Sequence, residues 1–106
     1  MNLADWVFVG TRSELLPGEF KVVWDGDTAI AVYNIAGDLY AIEDVCSHDG
    51  GELAGGDVHG FDVECPRHGA RFDVRTGAVT CPPAYEPIAS FPVHEVDGQI
   101  WTRDDR

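Results

Sequence analysis

The feature that most restricts this chain is a pair of short clusters, each combining one cysteine with one histidine. The first runs from Cys46 to His48 and the second from Cys65 to His68, so the pattern reads C-x-H-x16-C-x2-H. Within each cluster the two side chains are so close in sequence that one tight loop can direct both toward the same point. Glycine and proline beside both clusters suit such loops. The intervening segment is long enough to form a hairpin that brings the two loops face to face.

Two thiolates and two imidazoles fit more than one kind of site. A two-iron, two-sulfide cluster of mixed ligation needs this donor set, because in one class of such centres two histidines replace two cysteines on one iron. Cys46 and Cys65 would then hold one iron, and His48 and His68 the other. A tetrahedral Cys2His2 zinc site uses the same donors, although zinc fingers usually pair like ligands. The third alternative is a disulfide between the two cysteines, with both histidines uninvolved.

The residues around these ligand candidates extend the pattern. The segment that starts at Cys46 reads CSHDGG, the run from Cys65 to Gly77 reads CPRHGARFDVRTG, and Cys81 opens a Cys-Pro-Pro sequence. These segments resemble the two cluster loops and the proline loop of small Rieske ferredoxins. The resemblance is to the ferredoxin components of multicomponent aromatic-ring-hydroxylating dioxygenase systems, and it covers nearly the whole chain.

This resemblance implies an all-β Rieske fold, in which an antiparallel, sandwich- or barrel-like basal domain carries a small inserted cluster-binding subdomain. We expect residues 1–106 to form a single domain, with the subdomain at about residues 44–84. The implied cofactor is one Rieske-type [2Fe–2S] cluster. The implied ligands are Cys46, His48, Cys65 and His68. High-potential relatives carry disulfide-bonded cysteines at the positions that match Gly51 and Arg67, and this chain departs from them there.

The resemblance also implies a function. The chain would be a soluble carrier of single electrons from an NAD(P)H-dependent ferredoxin reductase to a terminal ring-hydroxylating oxygenase, and it would catalyse no reaction alone. A chain of 106 residues leaves no room for the second, catalytic domain that a terminal oxygenase needs. The alternatives are the small Rieske subunit of an assimilatory nitrite reductase and a general-purpose Rieske electron carrier.

The composition limits the partners. The chain has 19 acidic and 7 basic residues, for a formal net charge of −12. Such a surface disfavours nucleic acid and anionic membranes, and it favours salt-sensitive docking to a basic patch on a protein. The first six residues lack the basic region and long apolar stretch of a secretory signal. We therefore expect a cytoplasmic monomer that binds neither nucleic acid nor membranes.

Turn signals divide the chain into short apolar segments and predict strands without a long helix. Asp-Gly pairs at residues 25–26 and 97–98 indicate hairpins. The predicted strands cover residues 6–9, 20–24, 28–35, 38–43, 57–65, 70–74, 78–81, 90–96 and 99–103. Three further residues are interpreted as having no ligand role: Cys81 as a small buried side chain near the cluster, and His59 and His94 as surface residues.

Overall fold

The computed structural model describes residues 3–106, which fold almost entirely into short antiparallel strands. Residues 1–2, part of the N-terminal segment considered above, lie outside the described residues. The prediction of an all-β Rieske fold is confirmed. The one helical element among residues 3–106 is a single 3₁₀ turn at Arg12–Glu14. The strands are β1 (Val7–Thr11), β2 (Phe20–Asp25), β3 (Thr28–Ile35), β4 (Asp38–Glu43), β5 (Val58–His59), β6 (Asp62–Glu64), β7 (Arg71–Asp73), β8 (Val79–Cys81), β9 (Ser90–Phe91), β10 (Val93–Val96) and β11 (Gln99–Thr102).

The strands form three sheets. The basal sheet has the order β1-β11-β10, the central sheet β2-β3-β4-β9 and the distal sheet β5-β6-β7-β8. The central sheet is the middle layer, because its two faces belong to two different cores. Ile30 and Val32 of β3 pack with residues of the basal sheet, whereas Ala31 and Tyr33 pack with residues of the distal sheet. Burial of β3 on both faces explains why residues 29–33 within it form a continuous apolar run.

Two predicted strands are each divided in the structure. The strand predicted at 57–65 becomes β5 and β6, because Gly60, with a φ of +64°, turns the chain between them. The strand predicted at 90–96 becomes β9 and β10. β9 pairs with β4 of the central sheet and β10 with β11 of the basal sheet. Pro92 lies between them and has no N–H for a ladder, so it marks the point where the chain changes sheets.

The core between the central and distal sheets positions the candidate ligands. It contains Cys46 and Cys65 together with Leu53, Val63 and Phe72, and all five are buried. The two cysteines are therefore part of the hydrophobic packing that joins the distal sheet to the central one. Among residues 3–106, no helix is long and apolar enough to cross a membrane.

Candidate metal centre

The two ligand loops have the same backbone design. In the first loop the N–H of Cys46 donates to the carbonyl of Gly51 at 2.7 Å, and the N–H of Gly50 donates back to the Cys46 carbonyl at 2.7 Å. In the second loop the N–H of Cys65 donates to the Ala70 carbonyl at 2.7 Å, and the N–H of Gly69 donates back to the Cys65 carbonyl at 3.1 Å. Each cysteine is thus held at the start of a closed turn.

The glycine of each turn is required by its backbone conformation. Gly50 has a φ of +76° and Gly69 a φ of +78°, in the left-handed region that glycine adopts without a steric cost. Both glycines lie four residues after the loop cysteine, so the two loops share the pattern C-x3-G. This shared spacing is a signal that the sequence carries in addition to the glycines themselves.

The loops separate the two kinds of donor. The thiols of Cys46 and Cys65 are buried, and the imidazoles of His48 and His68 are exposed. The two sulfur atoms lie within 4.8 Å of each other, and so do nitrogen atoms of the two imidazoles. The two rings lie edge to face, with centroids 5.1 Å apart and an interplanar angle of 84°. All four predicted site residues are therefore brought to one end of the molecule, with sulfur inside and nitrogen outside.

This donor arrangement fits a two-iron cluster of mixed ligation better than a single zinc ion. The thiols and the imidazoles form two separate groups of neighbouring donors, each close to the carboxylate of Asp49. A tetrahedral zinc ion would need all four donors at about 2.0–2.3 Å from one point. All three cysteines are free thiols, so the disulfide alternative has no support either.

The environment of Cys46 also suits metal ligation. Burial raises the pKa of the Cys46 thiol, although the backbone N–H groups of Asp49 and His48 act in the opposite direction. A thiol in such a place becomes a thiolate only when a cation offsets the cost of burying its charge. The N–H groups already directed at the sulfur would stabilise that thiolate.

Arg67 joins the two loops. It belongs to the second loop, and its Nε and Nη2 atoms donate to the carboxylate of Asp49 in the first loop at 2.6 and 3.1 Å. Nη2 also donates to the Glu52 carbonyl at 2.9 Å. Any side chain on Gly51 would collide with the guanidinium. Arg67 thus forms an ionic clamp between the two ligand loops.

The clamp also limits what Asp49 can do. Its hydrogen bonds with Arg67, supported by one from the Gly51 N–H at 2.9 Å, hold the pKa of the Asp49 carboxyl well below its usual range. The carboxylate is near both donor groups, but its oxygens are already engaged by these donors. Asp49 therefore orients the first loop rather than offering an additional ligand.

We predict that Arg67→Ala makes the loaded protein lose its metal several-fold faster, because the two ligand loops are no longer held together. Arg75→Ala is the matched control, since Arg75 forms a similar two-point contact with Asp73 within a single turn. The measurement is the rate of iron transfer to an external chelator. Equal rates for the two variants would contradict the role of the clamp.

The remaining predicted residues belong to neither donor group. Cys81 ends β8 and is only partly buried, so the interpretation of a buried side chain overstated its burial. His59 is exposed and has its Nε2 atom 3.1 Å from the Glu64 carboxylate. His94 is exposed on β10 and lies edge-on to Trp6, with ring centroids 4.8 Å apart. Neither histidine is grouped with the candidate ligands.

Comparisons with known proteins agree with this geometry. Residues 5–92 match the Rieske [2Fe-2S] domain family. The ferredoxin subunit of anthranilate 1,2-dioxygenase from Burkholderia cepacia is 40% identical over 99 residues, covering 93% of this chain and 92% of the relative. The ferredoxin of carbazole 1,9a-dioxygenase from Nocardioides aromaticivorans superposes with a TM-score of 0.89 at 32% identity, covering 94% of this chain and 98% of that one. A ferredoxin in complex with the oxygenase of carbazole 1,9a-dioxygenase superposes with a TM-score of 0.89 at 33% identity, covering 93% of both chains.

The chain belongs to the Rieske [2Fe–2S] domain family, whose cofactor is the two-iron cluster that the donor set fits. Within that family it is an electron-transfer ferredoxin, since the relatives described above are ferredoxin components rather than catalytic subunits. The alternative of a nitrite reductase subunit finds no support in these relatives.

Proposed function

We propose that this chain carries single electrons from an NAD(P)H-dependent ferredoxin reductase to the terminal oxygenase of a ring-hydroxylating dioxygenase system. The observation that carries the proposal is the segregation of donors, with buried thiols and exposed imidazoles at one end of a ferredoxin fold. The likeness to a ferredoxin from an oxygenase complex supports the choice of acceptor. The reductase is the donor that such a carrier requires.

We assign the four ligands within the same proposal. Cys46 and Cys65 hold the inner iron, and His48 and His68 hold the outer iron. When bound, the cluster supplies reversible one-electron redox chemistry. The chain itself excludes water from the sulfur side through the core that contains Phe72 and Val63. It also leaves the imidazole edges exposed, where a partner can approach closely.

The organisation of the chain follows from this role. We propose that residues 1–106 act as one unit, with residues 44–84 as the cluster-binding subdomain. A monomer suits the role, because the exposed end must meet two different partners in turn. The location we propose is the cytoplasm. The net charge of −12 favours docking to basic protein surfaces over binding to nucleic acid or anionic membranes.

The test uses the protein loaded with iron and sulfide. We expect two iron atoms and two labile sulfides per chain. After reduction with dithionite, the ferredoxin should be reoxidised on mixing with the oxidised oxygenase of carbazole 1,9a-dioxygenase, used as a surrogate acceptor. The ferredoxin alone should form no hydroxylated product. Zinc without labile sulfide would refute the two-iron cluster at these residues, and no reoxidation by the oxygenase would count against the proposed acceptor.

A further inference from the structure

An aromatic side chain projects beside the imidazole end of the molecule. Tyr85 is 86% exposed, compared with 63% for Trp24, the next most exposed large hydrophobic residue in the described part of the chain. Tyr85 lies in the segment that follows β8, and it lines a hollow of about 350 Å³. The other residues lining this hollow are Ser47, His48, Pro83 and Glu86. The exposed ring therefore borders the same hollow as a proposed iron ligand.

The segment that carries Tyr85 is fixed on both sides. Ala84 and Ile88 are buried in the core that contains the two ligand cysteines. The hydroxyl of Ser47, in the first ligand loop, donates to the Glu86 carbonyl at 2.6 Å. An exposed ring on an anchored backbone has little conformational freedom to lose on binding. Rigid aromatic residues of this kind are the ones that most often dominate binding at protein interfaces.

We propose that Tyr85 is the docking anchor for the electron-accepting oxygenase, and that its ring enters an apolar socket on that protein beside His48. This inference rests on the proposed function and deepens it. Contact at this point would place the acceptor against an imidazole edge, which shortens the path for the electron. The partner's surface around that socket would also occupy the hollow that Tyr85 lines.

The charges near Tyr85 define the rim of the partner's socket. Glu86 lines the hollow beside Tyr85 and is exposed. The guanidinium of Arg67 is already paired with Asp49. With a net charge of −12 on the whole chain, the complementary surface is an apolar socket surrounded by lysine and arginine. Such a contact combines an aromatic ring buried in the interface with an electrostatic attraction that weakens as the salt concentration rises.

Trp24 provides a matched control within the same molecule. It lies on β2 and lines a different hollow, of about 430 Å³, which includes Gly50 and Glu52 of the first ligand loop. Trp24 is thus a large exposed aromatic residue near the first ligand loop, but it does not line the hollow that contains His48. If any exposed aromatic residue near this loop sufficed for docking, removing Trp24 would weaken docking as much as removing Tyr85.

The experiment compares Tyr85→Ala, Tyr85→Phe and Trp24→Ala with the wild type, all loaded with the cluster. Each ferredoxin is reduced with dithionite and mixed with increasing concentrations of oxidised carbazole 1,9a-dioxygenase oxygenase in a stopped-flow instrument. We expect Tyr85→Ala to raise the half-saturating oxygenase concentration roughly tenfold or more, as loss of an interface anchor does. The limiting rate, visible spectrum and reduction potential should stay unchanged. Tyr85→Phe and Trp24→Ala should remain within about twofold of wild type, since the first retains the ring and the second lies outside the socket.

Several outcomes would overturn the assignment. One is an unchanged half-saturating concentration in Tyr85→Ala while the wild type transfers electrons normally, which refutes the anchor and leaves the proposed function intact. Another is a loss in Trp24→Ala as large as that in Tyr85→Ala. A third is slower reduction of Tyr85→Ala by an NADH-dependent ferredoxin reductase with normal docking to the oxygenase. A wild-type protein that fails to reduce the oxygenase would instead remove the proposed function and this inference with it.

Discussion

Replacing His48 or His68 by alanine is expected to abolish the visible absorption and the reduced-state EPR signal of the Rieske-type cluster. Each substitution would remove one of the two nitrogen donors that lie within 4.8 Å of each other at the exposed end. Loss of a residue that only orients a ligand already costs about 10–100-fold in metal affinity. Loss of the ligand itself should therefore cost more. The measurement is the absorption and EPR spectrum of protein loaded with iron and sulfide under identical conditions.

The chain contains its own controls for this experiment. It has four histidines, and the other two, His59 and His94, are also exposed but belong to neither donor group. His59→Ala and His94→Ala should retain both spectroscopic signals. Each control also removes an imidazole from the surface, so a general effect on folding or solubility would affect all four variants. Unaltered spectra in His48→Ala or His68→Ala would refute the ligand assignment.

The meeting of the four candidate donors at one place was predictable because each half of the site is encoded locally. Each half of the site lies within a few residues of chain, so the order of cysteine, histidine and glycine specifies a loop before the rest of the fold is known. The all-β class was predictable for a similar reason, since turn residues and apolar segments alternate along the whole sequence. These signals depend on short-range geometry, which the sequence carries directly.

Contacts between distant segments were not predictable in this way. Arg67 binds Asp49, which lies 18 residues earlier in the chain. Nothing in either loop alone specifies that contact, because it exists only when the loops face each other. The division at Pro92 was missed for the same reason. A proline can end a strand or lie within an edge strand, and which of the two occurs depends on which sheet lies nearby.

The stacking of three sheets explains why the donors are segregated. The distal sheet packs on the central sheet through a core that includes both ligand cysteines, so the sulfur side of the site is closed by hydrophobic packing. The histidines lie further along each loop and extend past this core into solvent. A change that moves residues 82–89, the segment before β9, away from the two ligand loops would expose the sulfur side of the site to water. That segment is held partly by a close approach at Gly77.

Gly77→Ala is expected to destabilise the protein more than any comparable glycine substitution in an open turn. Gly77 has a φ of +82°, and a Cβ at this position would overlap the backbone carbonyl oxygen of Ile88. The carbonyl of Gly77 also accepts a hydrogen bond from the Ile88 N–H at 2.9 Å, which fixes the two segments close together. The left-handed conformation costs about 1–2 kcal/mol for alanine, and overpacking adds about 1–3 kcal/mol. The sum is a large part of the stability of a small domain, which is about 5–15 kcal/mol.

Gly98→Ala separates the two costs. Gly98 has nearly the same backbone conformation, with a φ of +77°, but a Cβ there would have no heavy atom within 4 Å. It should therefore lower the stability by the conformational cost alone, about 1–2 kcal/mol. The measurement is the apparent Tm of the cluster-loaded variants at one heating rate, followed by circular dichroism and by loss of visible absorbance. Because Ile88 packs in the core with both ligand cysteines, Gly77→Ala should also release the cluster at a lower temperature. Equal decreases in Tm for the two variants would mean that the approach to Ile88 adds no steric cost.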